Sequence, residues 1–402
     1  MRVIINGAGI AGPTLAYWLL RHGHEPTLIE QAPRLRTGGY VIDFWGTGFD
    51  VAERMKLIPE LDRAGYHVKR LRLVDGAGRR VGGMSVEVFR QITGGRYLSL
   101  PRGDLASAIY RHLDGRVETI FDASVEEIAE DADGVTVRLT NGEERRADIV
   151  VGADGLHSKV RELAFGPQET YEHPLGYTVA AFRAHGYAPR DELVYVSYTT
   201  PGRQIARFAM RDDQTLFLFV FENGGTGPAD PFDTEAQKTA LRARFTDGGW
   251  ECPAILDAMD RADELYVDRV SQIRMNRWSA GRTVLLGDAA AAPSLLAGQG
   301  SALAMTEAYV LAGEIDRADG DYETAFASYE SLLRPFIDGK QAAAEKFAGS
   351  FVPGTAFRLF LRNRITGLMN LPFVARLTMG STLVDQFTLP DYGDFSKDYA
   401  DA

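Results

Sequence analysis

The spacing of apolar residues changes period several times along the chain, and each change predicts an element. "RVIIN" (2–6) is short, β-branched and apolar in its centre, which reads as a parallel strand buried on both faces. "AGPTLAYWLLRHGH" (11–24) then places Leu15, Trp18 and Leu19 at helical spacing and ends near Gly23. "PTLIE" (26–30) supplies a second strand, so the opening is strand, helix, strand. Helix and loops run to about residue 70, followed by strands "LRLVD" and "VGGMSVEV", a helix over 103–113, and strands "VETIF", "GVTVRLT" and "ADIVVGAD".

Residues from about 172 to 275 change character. "GYTVAAFRA", "LVYVSYTT", "RQIARFAMRD" and "TLFLFVFE" are strand-like runs separated by turns at Pro189-Arg190-Asp191, Pro201-Gly202 and Asp212-Asp213. Tyr177, Phe182, Tyr195, Tyr198, Phe208, Phe217, Phe219 and Phe221 are read mostly as sheet core, and Arg207 and Arg211 as a solvated outer face. "NGGTGPADP" (223–231) is the segment predicted to be most mobile. Beyond residue 320 a helical stretch with a kink at Pro335 precedes an apolar one carrying Arg358, Arg362, Arg364 and Arg376. The latter is read as a helix bracing two domains rather than one lying on a membrane.

Length and composition narrow the class. A chain of 402 residues exceeds what one core usually supports, and 45% hydrophobic with 25% charged residues is ordinary for a folded enzyme. A net charge of −11 argues against nucleic acid as a partner. The lone cysteine, Cys252, allows no internal disulfide or Cys-rich zinc site, and seven scattered histidines show no metal-ligand spacing, so no metal and a cytoplasmic setting are expected. The apolar stretch Val3 to Leu20 is broken by glycines and is not read as a signal peptide. No run reaches the length of a membrane span.

Candidate chemistry begins between the first strand and helix, where Gly7, Gly9 and Gly12 form G-x-G-x-x-G and Glu30 closes the second strand. Such glycines permit the tight turn, the approach of backbone to a diphosphate and close helix–strand packing, while the acid meets the adenosine ribose. A purely structural turn is the competing reading, and the pattern does not by itself separate NAD from FAD. Two later strands end at Asp154-Gly155 and at Gly287-Asp288, each putting an acid where a parallel strand leaves its sheet.

The three motifs, in this order, resemble those of the group A FAD-dependent monooxygenases of the para-hydroxybenzoate hydroxylase type. "RLRTGGYVIDFWGTG" and "LPRGDLASAI" resemble segments of the tetracycline-inactivating branch. The resemblance implies an α/β fold. A Rossmann-like FAD-binding domain (1–72, 97–171 and 275–345) would carry an inserted, mostly β-sheet substrate domain (73–96 and 172–274), with C-terminal helices (346–402). It also implies FAD held by Gly7, Gly9, Ala11, Gly12 and Glu30 at the adenosine end. Asp43 would lie near the flavin and the backbone of Gly298, Gln299 and Gly300 under its ring, Asp288 of the Gly287-Asp288 motif would bind the ribityl chain, Arg102 would reach FAD, Asp154 and Gly155 would support FAD and the passing NADPH or NADH, and Arg36 would lie near that cosubstrate. Asp288 as a mere turn cap, Asp43 as a turn residue and Arg102 as a surface residue are the bland alternatives.

The activity implied is insertion of one oxygen atom from O2, through a flavin C4a-hydroperoxide, into an aromatic or polyketide-like small molecule, by a monomer or homodimer. An oxidase or dehydrogenase on the same fold and a non-catalytic flavin-binding protein are the alternatives. A halogenase lacks support because "GWECPAIL" falls short of its tryptophan motif. The chain departs from many members of the family at Ala291 and Ser294, with Pro293 one position early.

Overall fold

The computed structural model describes residues 1–36, 38, 40–223, 233–371, 373–377 and 385–393. The stretch expected to be mobile lies almost wholly outside them. At the centre is the strand Arg2–Asn6, whose Val3, Ile4 and Ile5 are buried because both faces of its sheet are covered. It pairs in parallel with Glu25–Glu30 on one side and Ile149–Gly152 on the other. Glu118–Phe121 and Thr283–Leu285 extend the parallel ladder outward, and the short Ser279–Ala280 completes six strands as an antiparallel edge. Helix Ala11–Arg21 packs against helix Gly300–Arg317, with Trp18 edge-on to Tyr309. Val125–Asp131, Gly134–Leu139 and Glu144–Ala147 form a separate antiparallel sheet.

A second large sheet has seven strands, ordered Tyr266–Ile273, Glu172–His185, Gln214–Glu222, Arg203–Ala209, Val194–Thr200, Arg70–Val74 and Arg80–Ser85. The last two come from the early part of the chain, and the first of them begins at Arg70, before the expected boundary. Helices Thr234–Phe245 and Cys252–Asp260 cover one face, packing on Phe182, Tyr198, Phe217 and Phe219. The opposite face meets Trp45, Tyr66 and Tyr97 through Phe208, Met210 and Leu216.

Four expectations need correction or refinement. Arg207 is not solvated: it is 2% exposed and bonded to Asp191 and Glu251 on the helix-covered face. Arg211 is exposed, as expected, but is tied down by donating to the carbonyls of Ala64 and Gly65. Within the segment read as loops, Val41–Trp45 forms a two-stranded ladder with Tyr97–Pro101. The C-terminal segment is helical at Ala356–Leu368, but 385–393 is irregular and returns to the first domain, where Asp385 pairs with Lys340 and accepts from the Thr47 backbone N–H. Helix Ala356–Leu368 rests on the edge strand Arg80–Ser85 of the larger sheet, where Asn370 just beyond it bonds Gly83 and Ser85.

Candidate active site

The three motifs meet at the ends of adjacent strands. Gly7 has φ +114°, and a Cβ there would lie 2.4 Å from the Ala153 carbonyl oxygen, so the first turn touches the second motif. A Cβ at Gly12 would lie 2.0 Å from the Gly7 carbonyl oxygen, which requires glycine where the helix crosses the turn. At Gly287, φ is +64°, and the nearest atoms a Cβ would meet are the side chains of Ala11 and Ala304, bringing the third motif against the first. Arg161, fully buried, donates to the Ala289 carbonyl and so ties the helix after the second motif to the third.

Gly9 differs from its neighbours. The nearest atom its Cβ would meet is the Arg102 Nη2, 3.9 Å away, so the cradle in front of it is open. Helix Ala11–Arg21 begins beside that opening with no side-chain cap and no acid in its first turn, leaving free N–H groups and the positive end of the helix dipole. Glu30, on the next strand, accepts from the backbone N–H groups of Ala8 and Ala32, each at 2.9 Å. Arg36 reaches the same carboxylate at 3.5 Å from the exposed rim.

Asp288 lies deep in the protein yet keeps part of its surface accessible, the combination of a residue lining a cleft. Burial raises its pKa, Arg102 opposes that rise and Asp268 adds to it. Among the described residues neither the Asp288 carboxylate nor the Arg102 guanidinium has a hydrogen-bonded partner; Arg102 is fixed through its backbone N–H, which donates to the Tyr40 carbonyl at 3.0 Å. Gly300 sits 3.5 Å from an Asp288 carboxylate oxygen, measured from where a Cβ would be, and opens helix Gly300–Arg317. That helix also starts without a side-chain cap or an acid in its first turn. Gly298 is left-handed, and its nearest neighbour would be the Trp45 ring at 3.8 Å.

Asp43 lies on strand Val41–Trp45, two residues before Trp45, whose ring neighbours Gly298. It accepts from the hydroxyls of Tyr97 and Ser99, both at 2.6 Å, on one oxygen. Burial raises its pKa and those two donors oppose the rise, while Tyr97 and Tyr195 are pushed well above the ordinary phenol range by burial and by Asp43. Asp154 is different. It accepts from the Asn6 amide and the Lys159 and Val160 backbone N–H groups on Oδ2 and from the Ser158 hydroxyl on Oδ1, so it braces the turn that ends in Gly155, φ +84°.

Sequence reasoning missed several participants. Glu307, 1% exposed, accepts from the Gly287 N–H at 2.6 Å, and burial pushes it up to about 8. Its signal was available, a single acid inside "ALAMTEAYVLA". Trp45 Nε1 is buried with no hydrogen-bond partner, and nothing in its local sequence announced that. Ser294 has φ +100° and caps Leu296, a conformation that proline's fixed negative φ forbids, so the departure at this position reflects a different loop geometry. Among the described residues no group of acidic, histidine or cysteine side chains converges to hold a metal, and no helix is long and apolar enough to cross a membrane.

These features fit a long, anionic, sugar-linked ring cofactor: an open glycine cradle, an unpartnered carboxylate and guanidinium, and an orphaned indole N–H lie along one cleft. The FAD binding domain family matches residues 1–318. An uncharacterised protein of Mycobacterium tuberculosis is 36% identical over 347 residues, 84% of this chain and 91% of that protein. A flavin-dependent monooxygenase of Legionella longbeachae serogroup 1 (strain NSW150) is 33% identical over 365 residues, 88% of this chain and 90% of that one. Among solved structures, tetracycline destructase Tet(55) superposes with a TM-score of 0.82 at 30% identity, over 97% of this chain and 98% of its own.

Proposed function

Because the chain belongs to the FAD binding domain family and is an FAD-dependent monooxygenase, we propose that it takes electrons from NADPH or NADH and transfers one oxygen atom of O2 to an aromatic or polyketide-like small molecule. The observation that carries this reading is the pair Asp288 and Arg102, electrostatically coupled across an open glycine cradle and otherwise without hydrogen-bond partners. FAD, when bound, supplies the redox chemistry and the activation of oxygen.

The chain's own residues do the holding. The free N–H groups at the start of helix Ala11–Arg21 take the diphosphate, with Gly9 leaving room for it and Ala11 beside it. Glu30 keeps acceptor capacity for ribose hydroxyls beyond its two backbone donors. Asp288 would accept from the ribityl hydroxyls, and Arg102, whose charge acts on Asp288, would also reach the cofactor. Gly298, Gln299 and Gly300 present backbone to the ring, and the positive end of helix Gly300–Arg317 favours negative charge there. Asp43, with one oxygen occupied by Tyr97 and Ser99, offers the other to the same ring system. Gly155 and Gly287 shape the strand ends, and Asp154, which braces its turn through Oδ2, keeps acceptor capacity on Oδ1 for the cofactor.

We place the cofactor in the discontinuous first domain and the substrate under the seven-stranded sheet, on the face carrying Tyr195, Phe208 and Leu216. The likeness to a tetracycline destructase supports a polycyclic, polyketide-like substrate. Arg36, on the rim, is assigned to the nicotinamide cosubstrate. The test is anaerobic reduction of the purified holoenzyme by NADPH with candidate substrates, followed by admission of labelled oxygen and mass spectrometry. Product heavier by one labelled oxygen atom supports the proposal. Steady NADPH consumption giving only hydrogen peroxide with every substrate class assigns an oxidase instead.

A further inference from the structure

Helix Ala356–Leu368 is built inside out. It has no buried residue, and Arg362 and Asn363 are the half-buried polar residues that meet the protein. Arg362 donates to the Phe351 carbonyl, Gln204 and Thr199, while the Asn363 backbone lies against Gly82. Its apolar residues point the other way: Phe357 is 74% exposed, and Phe360, Leu361 and Leu368 are exposed on the same side. These positions follow helical spacing, so they form one continuous stripe. In the segment that follows, Leu371, Phe373 and Leu377 are exposed as well, the last two 76% and 77%.

Charge is segregated there too. Residues 346–384 carry Lys346, Arg358, Arg362, Arg364 and Arg376 and no acidic residue, in a chain whose net charge is −11. Arg358, Arg364 and Arg376 are exposed among the apolar side chains, and Arg364 lies over the Phe360 ring at 5.2 Å. Exposed aromatic and aliphatic residues edged by arginines match an interface that is apolar below and anionic above. A second copy of the chain fits poorly, because a two-fold contact through this stripe would bring arginines against arginines with no acid in the segment to pair them.

We infer that the stripe from Phe357 to Leu377 is a peripheral docking surface for an anionic lipid bilayer, the helix lying in the headgroup layer with its phenylalanines and leucines buried and its arginines on lipid phosphates. This surface is separate from the cofactor cleft and does not depend on the reaction assigned to it.

Co-sedimentation of the FAD-loaded full chain with vesicles tests this. Vesicles of phosphatidylcholine mixed equally with phosphatidylglycerol are compared with phosphatidylcholine alone, at low and high salt. The protein should bind the mixed vesicles at least about tenfold more tightly and release in high salt, since each arginine near an anionic surface contributes about fivefold. The exposed triple variant Phe357→Ser/Phe360→Ser/Phe373→Ser should lose vesicle binding, and Arg358→Gln/Arg364→Gln should weaken it by about twentyfold, both with normal flavin content. Wild type that stays in the supernatant with mixed vesicles at low salt overturns the inference. So does equal binding to both vesicle types, or a dimer in sedimentation velocity that the triple variant abolishes.

Discussion

At residue scale the cleft separates side chains committed to the fold from those left open. Among the described residues Asp154 has four hydrogen-bond donors and Asp288 none, so the two strand-end acids differ in how much acceptor capacity they leave open. Asp288→Ala should lower FAD retention through gel filtration by about tenfold or more, the worth of a hydrogen bond to a charged group. Unchanged flavin stoichiometry would remove Asp288 from the site. For Arg36, the 3.5 Å approach to Glu30 adds a second route by which it could act. Arg36→Ala should slow anaerobic reduction by NADPH in stopped flow while sparing flavin content; a loss of flavin with normal reduction would assign it to the adenosine end. Ser294, held at φ +100° and 4% exposed, should not tolerate proline. Ser294→Pro should cost about 3 kcal/mol in urea unfolding, and a variant as stable as wild type would show that the loop has another accessible form.

At the scale of elements, the sequence disclosed the parallel strands, the glycine turn and the start of helix Gly300–Arg317, because each rests on local pattern. It did not disclose the ladder of Val41–Trp45 with Tyr97–Pro101, whose strands are 51 residues apart between Trp45 and Tyr97's predecessor and pair only in three dimensions. Nor did it place Arg207, because alternation along a strand says which residues share a face but not which face a helix will cover. The same helix Gly300–Arg317 carries Glu307, whose ordinary value of 4.5 is pushed up to about 8 by burial. The folded state thus keeps a proton that the unfolded chain releases, so this group's contribution to stability is full below 4.5 and is lost as pH rises through 8. Glu307→Gln should remove that loss. Melting curves of the two proteins should differ little near pH 5 and increasingly toward about pH 8, with the variant higher; parallel curves would show that Glu307 is not buried as a neutral acid.

At the scale of the molecule, the candidate site draws on segments nearly three hundred residues apart, between Gly9 and Gly300. The family and the cofactor were legible because three motifs recur in order along most of the chain. The substrate was not, because the face toward the cleft is set by packing of the seven-stranded sheet, and only some of its aromatic residues face it. On this reading the opening in front of Gly9 is cofactor space rather than a packing gap. Gly9→Ala tests it directly, because among the described residues beyond its chain neighbours the nearest atom to the Cβ it adds, Arg102 Nη2, is 3.9 Å away. Measured by flavin absorbance and thermal melting of the apoprotein, the variant should fold with unchanged stability and retain little FAD. A variant that keeps one FAD per chain would contradict the claim.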